Sequence, residues 1–290
     1  MFTNSQVFTR FVACAFAAVT AACAHAPLPT PAAGPISFAG ATIYVDDAPG
    51  ADTPILFIHG NGGSTETWKA QLEHFRSAGR RAIAIDLPGF GRSTPPSDWS
   101  LSSMAAAIDA AVASARVSHF VIVGHSYGGA VVATYAAAHP NRVAGVVYLD
   151  AAATALSLTA EQKAQVGAAL RADKMTVVRT WFAPMLVQST QRVRSEVLSG
   201  AEKTSTDALA GALMSLGDFD AKTLVNAFQG PKVAIVAADL EGPASFQRQF
   251  PDIPARRIAG TGHWIMLDKP VEVNAVLDEF MKEVGAGGRR

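Results

Sequence analysis

Gly124-His125-Ser126-Tyr127-Gly128 sets a serine between two glycines, each two residues away. A serine hydroxyl is a poor nucleophile until it is held clear of the backbone within reach of a base. A tight turn from strand to helix holds it so, but forces the serine into strained backbone and crowds its neighbours. Glycines at these two places relieve the crowding because they lack a Cβ. The flanks agree with such a turn. Val121-Ile122-Val123 reads as a strand and Ala130-Val131-Val132 opens a helix. This is the G-x-S-x-G spacing of a nucleophile elbow, and its chemistry is attack by the Ser126 oxygen on an acyl carbon.

Such a serine needs a base, an acid behind the base, and donors for the negative charge that develops on the attacked group. Gly260-Thr261-Gly262-His263-Trp264 presents a histidine in a glycine-rich turn. His59-Gly60-Asn61-Gly62-Gly63-Ser64 is a second glycine-rich loop, between an apolar strand and a helix capped by Thr65 or Thr67. Its free N–H groups suit either a phosphate or one side of an oxyanion hole. Neither G-x-x-x-x-G-K-[ST] nor G-x-G-x-x-G is present, so the phosphate reading has no further support.

The elements that must position these residues follow in order. Ile36–Phe38 and Thr42–Val45 read as an opening hairpin. Ile55–Ile58, Ala82–Ile85, Phe120–Val123, Val143–Leu149 and Val233–Val236 are short apolar runs of the kind buried in a parallel sheet. Arg257-Ile258 is the last strand, and Val271–Val284 the closing helix. Helical patterns lie between most of the strands, which predicts an α/β fold with an open, mostly parallel sheet. Sites in such sheets lie at the strands' C-terminal ends. Asn61, Asp86, Ser126, Asp150, Asp239 and His263 all fall there. Between 154 and 230 no strand-like run occurs and helical patterns follow one another, which predicts a helical cap. Its Trp181, Phe182, Met185 and Met214 suggest an apolar acyl pocket.

The chain has 290 residues, 24 Lys and Arg against 24 Asp and Glu, and 49% apolar residues, enough for one large domain with an insertion. The balanced charge argues against nucleic acid as a partner. The expected partner is a small molecule. Phe11–Ala22 is apolar but short for a bilayer span, and small residues follow at cleavage-like spacing, so 1–26 reads as a signal peptide and 27–35 as a linker. Thr20-Ala21-Ala22-Cys23 loosely resembles a lipobox, which would lipidate Cys23 and tie the chain to a membrane. The expected location is the periplasm or the exterior. Both cysteines, Cys14 and Cys23, lie in this leader. The rest of the chain has no thiol and no clustered histidine pair at ligand spacing, so neither a metal nor an organic cofactor is expected. His74, His119 and His139 show no partner pattern. Residues 36–153 and 231–285 form the expected core, and 286–290 a disordered tail.

Four signatures taken together resemble the α/β-hydrolase family over nearly all of the chain past the leader. They are His59-Gly60-Asn61-Gly62-Gly63, Asp86-Leu87-Pro88-Gly89-Phe90-Gly91-Arg92-Ser93, Gly124-His125-Ser126-Tyr127-Gly128-Gly129 and Gly262-His263. The resemblance implies an eight-stranded, mostly parallel sheet with helices on both faces, a cap after the sixth strand, and a Ser–acid–His triad. Ser126 would be the nucleophile and His263 the base. The backbone N–H groups of Asn61 and Tyr127 would form the oxyanion hole, with His59 and His125 as structural supports. The acid departs from the common pattern. Asp239 follows the seventh strand, but the usual glycine before it is missing. Asp150 ends the sixth strand, where a branch of the family carries its acid. Asp150 is preferred, Asp239 is the alternative, and Glu241 ranks third. The implied activity is hydrolysis of a carboxylic ester or lactone through an acyl-serine. Cofactor-free perhydrolase or C–C hydrolase chemistry on the same triad, and a non-catalytic binding protein, are the alternatives. Dehalogenase and epoxide-hydrolase branches carry Asp where this chain has Ser126.

Overall fold

The computed structural model describes residues 34–154 and 158–287. The signal, the lipobox and most of the linker read from the sequence lie outside them. Eight strands form one sheet: β1 (Gly34–Phe38), β2 (Ala41–Asp47), β3 (Ala51–Ile58), β4 (Arg80–Asp86), β5 (Phe120–His125), β6 (Val143–Leu149), β7 (Lys232–Ala237) and β8 (Ala255–Ile258). Their order is β1-β2-β4-β3-β5-β6-β7-β8, and only the β1–β2 and β2–β4 pairs are antiparallel. Every residue of β5 and β6 is buried, as apolar strands covered on both faces must be. The edge strand β8 instead exposes Arg256 and Arg257, charges that discourage pairing with another chain.

Helices cover both faces. Between strands run α1 (Lys69–Ser77), α2 (Leu101–Ser114) and α3 (Tyr127–Ala138). The segment from β6 to β7 holds α4 (Ala160–Ala172), α5 (Lys174–Phe182), α6 (Gln191–Lys203), α7 (Thr206–Ser215) and α8 (Ala221–Ala227), with no strand among its described residues. The short α9 (Phe246–Gln249) precedes β8, and α10 (Ile265–Asp268) and α11 (Pro270–Gly287) close the chain. The sequence places the closing helix's end near Val284 and a disordered tail from 286. The helix in fact runs through Gly287, past the glycine at 285. Two apolar layers result. One, under α2, α3 and α8, contains Leu56, Ile122 and Tyr148; the other, under α1, α11 and part of the cap, contains Phe57, Val123 and Leu149. Neighbouring residues of one strand thus feed opposite layers. α3 is apolar all round and buried over most of its surface, so it belongs inside the molecule.

The sheet order carries the functional geometry. β4 lies on one side of β3 and β5 on the other, so the direction of winding reverses between β3 and β5. At such a reversal the connections depart to opposite faces and leave a crevice beyond the strands' C-terminal ends. β3 leads into the Asn61 loop and β5 into Ser126.

Candidate active site

Ser126 has φ +52° and ψ −118°, a conformation rare for a residue with a Cβ. Packing enforces it. A Cβ on Gly124 would lie 2.4 Å from the Gly128 carbonyl oxygen, and one on Gly128 would lie 2.5 Å from the His59 carbonyl oxygen. Both glycines are therefore required by close backbone approach, and the second lets the first turn of α3 sit on the end of β3. The turn is tied down by Ser126 N–H donating to Leu149 O (3.2 Å) and by Gly129 N–H and Ala152 N–H donating to Ser126 O (2.9 and 3.0 Å). Tyr127 N–H is the next donor along, at the N-terminus of α3, where the helix dipole favours negative charge. Its side chain points the other way. Burial pushes the Tyr127 hydroxyl up to about 12, so it stays protonated.

His263 Nδ1 donates to Asp150 Oδ2 at 2.5 Å, with both side chains largely buried. That bond puts the proton on Nδ1 and leaves the Nε2 lone pair free to act as a base. Asp150 has φ +41°. It is pinned in that strained position by its N–H donating to Ile235 O (2.7 Å) and by Ala237 N–H donating to its Oδ1 (3.4 Å). Asp239, the other candidate acid, spends its carboxylate elsewhere: Gly260 N–H donates to its Oδ2 at 2.7 Å. It holds the loop that carries the histidine rather than the imidazole. Glu241 pairs with Arg257 at 3.1 Å.

The other signature residues build the surroundings. Asp86 is fully buried and accepts from Thr65 N–H (2.6 Å) and Arg92 N–H (2.8 Å), which joins its own turn to the start of the helix after the Asn61 loop. The helix cap there is Ser64, whose hydroxyl accepts from Glu66 N–H, and not Thr65 or Thr67. The Arg92 guanidinium lies 3.4 Å over the Tyr44 ring. His74, without a visible partner in the sequence, pairs with Asp278 of α11 at 2.8 Å.

His59 and His125 are structural, with opposite tautomers. Leu87 N–H donates to His59 Nε2 (3.0 Å), so the His59 proton is on Nδ1, which donates to Gly60 O (2.8 Å). His125 Nε2 donates to the His263 carbonyl oxygen (3.1 Å), so its proton is on Nε2. Burial lowers the pKa of both, and the neighbouring His263 lowers that of His125 further. The sign follows. Below the unfolded value of 6.5 the unfolded chain takes up protons that the folded chain refuses, so stability falls as pH falls. Each histidine contributes at most about 1.4 kcal/mol per pH unit. The urea midpoint is expected to drop from pH 7.5 to 5.5, and to drop less in His125→Asn. An equal drop in both proteins would show that His125 is not the source.

The cap reaches the site at two backbones. His263 N–H donates to Met185 O (2.8 Å), and Asn61 Nδ2 donates to Leu209 O (3.1 Å). No sequence pattern signals either contact, since each joins the site to a main-chain carbonyl far along the chain. Of the four cap residues expected to line an acyl pocket, only Phe182 borders the cavity of about 420 Å³ beside Asn61. Trp181 packs against the core, Met185 is partly exposed, and Met214 borders a different hollow. Phe182, Val197, Trp264 and Leu267 make up the apolar part of the wall, opposite Ser64, Ser199 and other polar groups. The cavity abuts the site through Asn61 and Trp264, while Ser126 and His263 themselves lie outside its lining. The bonded geometry, rather than this hollow, therefore marks the candidate centre. Among the described residues no group of three or more His, Cys, Asp or Glu is placed to hold a metal ion, and no helix is long and apolar enough to cross a membrane.

A strained serine at a strand-to-helix turn, with a carboxylate-bound imidazole on a neighbouring loop, is the arrangement of a hydrolase built on this sheet. Comparison with known proteins agrees. The family model described as the alpha/beta hydrolase fold matches residues 53–184. A thermophilic esterase from Thermogutta terrifontis superposes with a TM-score of 0.74 at 22% identity, covering 84% of this chain and 94% of that one. An enol-lactonase from Burkholderia xenovorans LB400 superposes with a TM-score of 0.74 at 16% identity, covering 86% and 99%. In sequence, the dihydrolipoyllysine-residue acetyltransferase component of the acetoin cleaving system of Pseudomonas putida is 27% identical over 239 residues, 80% of this chain and 64% of that protein. The chain thus spans just under two thirds of that relative's length. The chain has the fold of these proteins, and its residues 53–184 match the alpha/beta hydrolase fold model.

Proposed function

We propose that this enzyme hydrolyses a small carboxylic ester or lactone through an acyl-serine intermediate, with Ser126 as nucleophile, His263 as base and Asp150 as acid. The observation that carries the reading is the Asp150–His263 hydrogen bond beside the strained Ser126 turn. Ser126 Oγ attacks the carbonyl carbon while His263 Nε2 takes its proton. Asp150 holds the imidazole in the Nδ1–H tautomer and stabilises the cation that forms. The N–H groups of Tyr127 and Asn61 stabilise the oxyanion. His263 then protonates the leaving alkoxide, and the acyl-serine remains. Water attacks that ester with His263 again as base, which releases the acid and restores Ser126. The esterase and the lactonase of the same fold support the substrate class, and the part-apolar cavity beside Asn61 offers room for a small acyl or alkyl group.

The test is intact mass after treatment with a fluorophosphonate, followed by a panel of esters and lactones. A single adduct on a folded protein is expected, together with turnover of at least one ester or lactone. A folded protein that takes no adduct overturns the acyl-serine reading.

Export is proposed on residues 1–26 alone: the apolar run Phe11–Ala22 followed by small residues at cleavage-like spacing. Mass of the native protein's N-terminus checks it. Loss of the leader is expected, with a lipid adduct if Cys23 is the anchor. An intact Met1 would end the idea.

A further inference from the structure

The Asn61 loop is held from above. Its side-chain amide donates to the Leu209 carbonyl oxygen on α7 at 3.1 Å. That acceptor fixes the amide orientation, because only the nitrogen can face a carbonyl. The next residue, Gly62, has φ +76°, a left-handed turn that suits glycine. A Cβ on Gly62 would lie 3.4 Å from Ala201 Cβ on α6 and 3.6 Å from Leu209 Cδ2 on α7. In return, a Cβ on Gly200 of α6 would lie 2.9 Å from the Gly62 carbonyl oxygen. Two cap helices therefore rest on the two residues that aim the Asn61 N–H. One contact is a hydrogen bond and the other a close approach that only glycine allows.

We infer that the Asn61 side chain is a positioning residue: it couples the seating of the cap to the oxyanion hole, so the Asn61 N–H is aimed only while α7 and α6 are in place. An oxyanion donor must be aligned before the charge develops, since realignment during the reaction forfeits its advantage. Gly62, the residue after Asn61, has left-handed backbone. The cap adds a hydrogen bond and a close packing contact to this loop. Seating of the cap over a substrate then also completes the machinery beneath it. This rests on the acyl-serine reading above and adds to it the part played by the cap.

The test uses the full chain with Asn61→Leu, which keeps the bulk and the backbone N–H but removes the donor to Leu209 O. The second variant is Gly200→Ala, which presses α6 against the Gly62 carbonyl. Alanine is the better helix former, so the second variant does not weaken α6 by propensity. Readouts are kcat and KM on a p-nitrophenyl ester, the rate of fluorophosphonate labelling, and the pH midpoint of the rate. For Asn61→Leu, kcat and the labelling rate are expected to fall together by about 10–100-fold, less than the loss of a whole oxyanion donor. KM should move by less than about threefold and the pH midpoint should stay in place, since His263 and Asp150 are untouched. Gly200→Ala should show the same pattern at smaller size. A folded Asn61→Leu protein whose kcat and labelling rate match the parent overturns the inference. So does a rise in KM alone, which would make Asn61 a substrate contact. If Asn61→Leu fails to fold, a Gly200→Ala protein with parental rates decides against it. Absence of labelling in the parent itself would instead remove the acyl-serine reading, so the two failures are distinct.

Discussion

Ser126→Ala is expected to lower kcat for an ester by about 10⁴–10⁶-fold and to abolish the fluorophosphonate adduct, with little change in the thermal midpoint. The size of the loss reflects a cooperating unit. Without the hydroxyl, His263 has no proton to take and the oxyanion donors have no adduct to hold, so the separate contributions vanish together. Stability is a different matter. The elbow is held by backbone bonds from Ser126 N to Leu149 O and from Gly129 and Ala152 to Ser126 O, none of which uses the hydroxyl. Alanine keeps the same Cβ at φ +52° and inherits the same strain. Kinetics on a p-nitrophenyl ester beside a thermal melt checks both halves. Ester turnover within tenfold of the parent would remove Ser126 from the chemistry.

Asp150→Asn should cost about 10³–10⁴-fold in kcat, and Asp239→Asn less than about tenfold. The asymmetry follows from what each carboxylate touches. In the first variant the new side-chain amide can turn its N–H toward His263 Nδ1. The imidazole then carries its proton on Nε2, facing the serine, and can no longer act as a base. The lost negative charge also leaves the imidazolium unsupported. Asp239 only accepts from Gly260 N–H, and an asparagine oxygen accepts that bond as well. Parallel measurement of kcat for the two variants on one substrate is sufficient. The reverse order would place the acid after β7.

Most of the fold was legible because a parallel sheet buried on both faces writes itself as short apolar runs, and β5 and β6 are the clearest cases. The turn at Ser126 was legible for a related reason: it demands glycine at two fixed places, and a steric demand leaves a trace in residue type. The acid was not decided by pattern. Asp150 and Asp239 both stand at strand ends, and only the folded chain shows that Asp150 meets His263 while Asp239 meets Gly260. That information is tertiary. The contacts of Asn61 with Leu209 O and of His263 with Met185 O left no trace at all, because a main-chain carbonyl is present at every residue. The cap's apolar residues misled for another reason. Most of Trp181, Met185 and Met214 goes to packing or to the surface, since a helical layer must bury its own underside before it can shape a pocket.

The place of Asp150, at the end of the strand from which the cap departs, bears on how this protein could be remade. A graft that exchanges the whole insertion between Ala152 and Pro231 for a relative's would leave Asp150, Ser126 and His263 in the recipient. It would not leave them equally supported. The incoming segment must bring one carbonyl where Met185 meets the His263 N–H and another where Leu209 meets Asn61. Specificity could then be transplanted with the insertion, but only from donors whose backbone follows the recipient's at those two points, whatever their side chains.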